Sequence, residues 1–118
     1  MTELQPAMKM TVIVGGDERC SHHPLYQEVL RLLHRENILG ATVTKGVMSY
    51  GLTRSIHSTL NEIVMDNLPM IIEAIDDRDK IEGVAGTISK MLGDHGLIEM
   101  QPIMMAHKAP AEPERSEN

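Results

Sequence analysis

The sequence predicts an α+β sandwich in which two helices cover one face of a four-stranded antiparallel sheet. Two runs, Met8 to Val14 and Met70 to Ile75, alternate their apolar residues with the period of a strand. Two others, Leu25 to Asn37 and Ile81 to Leu92, space theirs as one stripe of a helix. Glycines at Gly15-Gly16, Gly40 and Gly93 to Gly96 punctuate the boundaries.

Met8, Met10, Val12 and Val14 share one side of the first strand, which Gly15-Gly16 ends. After a polar segment from Asp17 to His23, Pro24 suits a first helical turn. Leu25, Val29, Leu32 and Leu33 then form the apolar stripe of a helix reaching Asn37, with Gly40 beyond its end. Ala41 to Met48 is β-branched and alternating, a second strand. In the third strand Met70, Ile72 and Ala74 lie on one side, Ile71 and Ile75 on the other, and Pro69 stands at the start. Asp76 is placed to cap a second helix, with Asp79 and Glu82 in its first turns and Ile81, Val84, Ala85, Ile88, Met91 and Leu92 as its stripe. Leu97 to Met105 is the last strand, and Pro102, which cannot donate to a ladder, puts it at an edge or a bulge. The order strand, helix, strand, strand, helix, strand is that of the ferredoxin-like βαββαβ sandwich.

A chain of 118 residues holds one domain with one core. It is expected to span 8–108, with a flexible N-terminus at 1–7, a long loop at about 49–66, and an acidic, proline-containing disordered tail at 109–118. There is no Phe or Trp and there are ten Met, so the core is aliphatic with methionine filling its gaps. A net charge of -6 without a basic stripe argues against nucleic acid. No apolar run approaches the roughly 20 residues of a membrane span, and Met1 to Pro6 lacks the basic-then-apolar order of a signal peptide, so no membrane insertion and a cytoplasmic location are expected. Apolar residues on both sides of the third strand predict a cyclic homo-oligomer that covers the face left open by the helices.

Catalytic motifs are missing: there is no Gly-x-Ser-x-Gly elbow, no phosphate-loop Gly-Lys-Ser and no His-Glu-x-x-His, which points away from an enzyme. Cys20 is the single cysteine, so no intramolecular disulfide or thiolate zinc cage forms. Cys20, His22 and His23 do place one thiol and two imidazoles within four residues, an alternative soft-metal cluster for Cu or Zn, although the spacing fits no established ligand motif.

Pro24-Leu25-Tyr26, the run from Gly40 through Ala41, Thr42 and Val43 to Lys45-Gly46, then Met48, Tyr50-Gly51, Arg54, His57, Leu68-Pro69 and Glu73 through Asp76 resemble the PII-like domain-of-unknown-function family 190. The resemblance spans Met8 to Lys108 and runs from Gly40 to Asp76 without a gap. It implies a homotrimer related in shape to the PII signalling proteins, which sense small molecules in clefts between subunits and use a mobile loop to control transporters or enzymes. Carried onto this chain it makes Lys45, Gly46, Tyr50, Gly51, Arg54 and His57 ligand-binding candidates. Glycine lets backbone N–H groups approach an anion, Arg54 offers a planar fork for phosphate or carboxylate, and His57 can tune the response near neutral pH.

Two departures bear on the effector. PII proteins carry a Gly-Asp-Gly-Lys turn before the last strand, where this chain has Gly93, Asp94, His95 and Gly96; their final two arginines are replaced near Met105 and His107. ATP bound in the PII manner is therefore not what the resemblance implies. An adenine nucleotide of lower charge, or another anion, is compatible with Arg54, His95, His107 and Lys108, and no cofactor is required. The expected function is regulation of a partner, such as a membrane transporter or an enzyme, through the loop. The alternatives are a metal-responsive trimer resembling the CutA ion-tolerance proteins and an assembly module without a ligand.

Overall fold

The computed structural model describes residues 3–47 and 68–106. The elements are β1 (Gln5–Gly15), β2 (Arg19–Cys20), β3 (His23–Pro24), α1 (Leu25–Arg35), β4 (Gly40–Lys45), β5 (Pro69–Asp76), α2 (Arg78–Leu92) and β6 (Gly96–Met105). The main sheet has the order β4-β5-β1-β6 with every neighbouring pair antiparallel. Each helix thus connects two strands that flank a third, giving the interleaved pair of split βαβ units that the sequence predicts.

Register and periodicity together build the core. Val43, Ile72, Val12 and Ile98 lie side by side across the four strands, as do Ala41, Ala74, Met10 and Met100. Their side chains share the face to which the helices bring Leu25, Val29, Leu32 and Leu33 from α1 and Ile81, Val84, Ile88 and Leu92 from α2. Met10, Val12, Val14, Ile72 and Ala74 are fully buried, so the aliphatic core centres on β1 and β5. Burying one such Met, Val or Ile side chain contributes roughly 1.5–3 kcal/mol.

α1 starts without a side-chain cap; the backbone carbonyl of Glu18 accepts the Leu25 N–H at 2.8 Å instead. Its end is set by Asn37 at φ 59°, where the Asn37 N–H donates to the His34 carbonyl and the Ile38 N–H to the Leu33 carbonyl. That double return is a Schellman stop, and Ile38 packs onto the core beyond it. The expected terminator, Gly40, already lies in β4.

Several expectations are corrected. The segment 1–7 contributes Gln5, Pro6 and Ala7 to β1, because β6 continues to Met105 and pairs with Gln5. The polar segment before α1 forms a two-residue ladder in which Cys20 stands opposite His23, turning through Ser21 at φ 59°. β4 ends at Lys45 rather than Met48. The helix-capping position belongs to Asp77, while Asp76 is 4 % exposed and ties two elements together. Its Oδ2 accepts the Leu39 N–H at 2.7 Å and its Oδ1 the Asp77 N–H at 2.6 Å, with Lys80 Nζ 3.4 Å away.

The face away from the helices is mixed rather than apolar. A row of Thr44, Ile71, Ile13 and Leu97 crosses it, followed by a polar row of Thr42, Glu73, Thr11 and Glu99. Lys9 lies 4.0 Å from Glu73 on the same face.

Candidate functional site

The candidate site lies at the end of the sheet where β1 and β4 finish and β5 and β6 begin. Two backbone hydrogen bonds pin the point where the segment between β4 and β5 leaves and returns: Gly46 N–H to the Pro69 carbonyl at 2.8 Å and Gly16 N–H to the Leu68 carbonyl at 2.7 Å. Both require a bare α-carbon. A Cβ on Gly46 would meet Pro69 Cγ at 2.6 Å, and one on Gly16 would meet the Leu68 oxygen at 2.9 Å. Gly46 is therefore needed for close packing on Pro69, and its N–H is committed to the ladder. The expectation that this glycine aims its N–H at an anion gives way to a role as a fixed base.

Lys45 is exposed at the end of β4 and stands opposite Met70. His95 is exposed in the turn between α2 and β6, its Nδ1 3.4 Å from Glu18 Oε1 and its Nε2 3.5 Å from Asp94 Oδ1. Two carboxylates beside this imidazole offset the charge it would present to an anion. Lys45, Met70, Val14 and Gly96 form one row across the sheet, so Lys45 and the turn holding His95 are three strand spacings apart, about 14 Å. They lie at the same end of the fold but at opposite edges, and one chain does not bring them into one cleft.

Tyr50, Gly51, Arg54, His57, His107 and Lys108 lie outside the described residues, as does the whole segment 49–66 expected to be a long loop. Sequence reasoning missed Gly16 and Pro69 as partners in the base; Gly15-Gly16 reads as an ordinary strand terminator until the pairing of Gly16 with Leu68 is seen. At the soft-metal alternative, Cys20 is half-buried and packs against the core, while His22 and His23 are exposed. No group of three His, Cys, Asp or Glu side chains converges among the described residues. Arg78, at the far end of the sheet, is held above its ordinary pKa by its hydrogen bond and charge interaction with Glu82.

Comparison with known proteins supplies the relationship. The family model of DUF190, described as uncharacterized ACR, matches residues 7–105. A UPF0166 protein of Methanocaldococcus jannaschii is 34 % identical over 74 residues, covering 63 % of this chain and 68 % of that protein. Among solved structures, CPII of Thiomonas intermedia K12, bound to ADP and bicarbonate, superposes with a TM-score of 0.65 at 18 % identity over 91 % of this chain and 95 % of that one. A putative PII-like signalling protein of Thermus thermophilus gives a TM-score of 0.63 at 14 % identity over 88 % and 93 %. The match over 7–105 and the superpositions agree: the chain belongs to the DUF190 family and has a PII-like fold.

Proposed function

We propose that the protein is a PII-like regulator that assembles as a homotrimer, binds a small anionic effector between subunits, and signals its occupancy to a partner through the segment 49–66. The observation that carries this reading is the base of that segment. Glycine packing at Gly46 and Gly16 fixes where it leaves and rejoins the sheet, and Lys45 stands beside it. The fold is shared with a protein whose structure holds ADP and bicarbonate. In the proposed assembly the second face of the sheet, with Ile13, Ile71 and Leu97, is covered by neighbouring copies.

The separation of Lys45 from His95 supports a site shared between copies, because a nucleotide reaching both edges would have to bridge two subunits. Lys45, Arg54 and Lys108 are assigned to the anionic groups, Tyr50, Gly51 and His57 to the segment that responds, and His95 and His107 to the neighbouring wall. Binding of the effector then selects one state of the segment, and a transporter or an enzyme distinguishes the states by differential contacts. The protein works without catalysis, as one folded unit that begins with β1 at Gln5, and in the cytoplasm.

Calorimetric titration with AMP, ADP and ATP tests the reading. Saturable binding of AMP or ADP near one per subunit is expected, weakened at least about tenfold in Arg54→Ala and Lys45→Ala. Absence of binding by all three, with the assembled protein intact, would overturn the nucleotide part.

A further inference from the structure

We propose that Glu18 sets the charge of the effector: its carboxylate, held against His95, makes the wall around this imidazole net negative, so that an anion with one phosphate group is taken in preference to a triphosphate. The inference rests on the reading above, in which His95 stands on the wall of the effector site.

Two connections that the sheet brings together build this wall. Val14 stands opposite Gly96, so the chain leaving β1 and the turn entering β6 lie side by side. Glu18 is anchored through both of its backbone groups: its N–H donates to the Gly15 carbonyl at 3.1 Å, and its carbonyl accepts the Leu25 N–H at 2.8 Å. His95 is anchored by its own N–H, which donates to the Leu92 carbonyl at 2.9 Å. From these roots the Glu18 side chain, 24 % exposed, reaches Nδ1 of a His95 side chain that is 64 % exposed.

Each ring nitrogen of His95 faces a carboxylate oxygen, Glu18 Oε1 at 3.4 Å and Asp94 Oδ1 at 3.5 Å. A neutral imidazole has one N–H and one acceptor nitrogen, so only the protonated ring suits both carboxylates. Even then one positive charge meets two negative ones. Arg19, the next residue along, does not redress the balance, because its Nη2 donates to the His22 carbonyl within the β2–β3 hairpin. Asp94 is 95 % exposed and screened by solvent and salt, whereas Glu18 is mostly covered and screened less. A phosphate approaching His95 therefore either displaces Glu18 from Nδ1 or shares the ring with it. The repulsion grows with each charge on the effector. At about 6 Å in water-like surroundings a unit charge on Glu18 disfavours each further negative charge about threefold, and ATP carries about two more than AMP.

Calorimetric titration of the full chain with AMP, ADP and ATP in magnesium-free buffer, for the wild type and for Glu18→Gln, tests the proposal. Glutamine keeps the length of the side chain and an acceptor oxygen for His95 and removes the charge. The affinity for ATP relative to AMP should rise about tenfold in Glu18→Gln, with ADP between them. It should change less than about twofold in Asp79→Asn, which removes an equal charge from the first turn of α2 at the far end of the sheet. A structural disturbance would weaken all three nucleotides together and leave the ratio where it was. If nucleotides bind but the ratio in Glu18→Gln rises less than about threefold, or rises as much in Asp79→Asn, the proposal is overturned while the nucleotide reading stands. Absence of binding by all three nucleotides in every variant would overturn that reading and this inference with it.

Discussion

Replacing Asp76 by alanine should destabilise the fold more than any other single carboxylate removal among the described residues. The carboxylate is buried and accepts two backbone N–H groups, from Leu39 before β4 and from Asp77 before α2. Each donor left without a partner costs about 1–3 kcal/mol. The ion pair with Lys80, whose side chain is 44 % exposed, adds at most about 1 kcal/mol. The expected loss is about 3 kcal/mol. With a urea slope of about 1–3 kcal/mol per molar, the midpoint should fall by about 1–3 M, and the slope itself should not change. Asp76→Asn keeps one acceptor oxygen and should lose about half as much. The assay is urea unfolding followed by circular dichroism at one fixed protein concentration, since assembly makes stability concentration-dependent. A loss below about 1 kcal/mol, or one no larger than that of the exposed Glu73→Ala, would refute the reasoning that this carboxylate joins the α1–β4 connection to the start of α2.

Gly46→Ala should cost about 1–3 kcal/mol because its Cβ meets Pro69, whereas Gly40→Ala, whose Cβ meets nothing within 4 Å, should stay within about 0.5 kcal/mol in the same unfolding assay. Pro102→Val should leave stability nearly unchanged but raise the rate of aggregation on mild heating, read by light scattering, because it restores a donor in the middle of the β6 edge. Leu97→Glu, on the sheet face away from the helices and 46 % exposed, should keep the helix content and lower the assembled mass seen by size exclusion with light scattering.

The parts of the fold that depend on periodicity were legible in the sequence. The four α1 residues Leu25, Val29, Leu32 and Leu33 are its buried ones, and the alternation of Met8, Met10, Val12 and Val14 marks the core side of β1. Pro102 reads as an edge residue and lies on one. What the sequence hid depends on contacts between distant residues. Asp76 in front of a helical stripe looks like a cap, and only the approach of Leu39, 37 positions away, shows where its oxygens go. The hairpin of β2 and β3 turns through Ser21 rather than the glycine or asparagine that would announce it. Gly46 reads as an anion-approaching glycine, since nothing local reveals that Pro69 occupies the space a side chain would need. Of the nine binding candidates, Lys45, Gly46 and His95 fall within the described residues, and their separation across the sheet follows from strand order, which no local motif encodes.

The central claim is that copies of this chain assemble over the second face of the sheet and hold an anionic effector between them. Native mass spectrometry of the full chain with ADP measures assembly and occupancy together. The account predicts one species near three times the 13.1 kDa chain mass that takes up as many as three nucleotides. A monomer under these conditions, or a monomer that binds ADP as well as any larger species does, would contradict it.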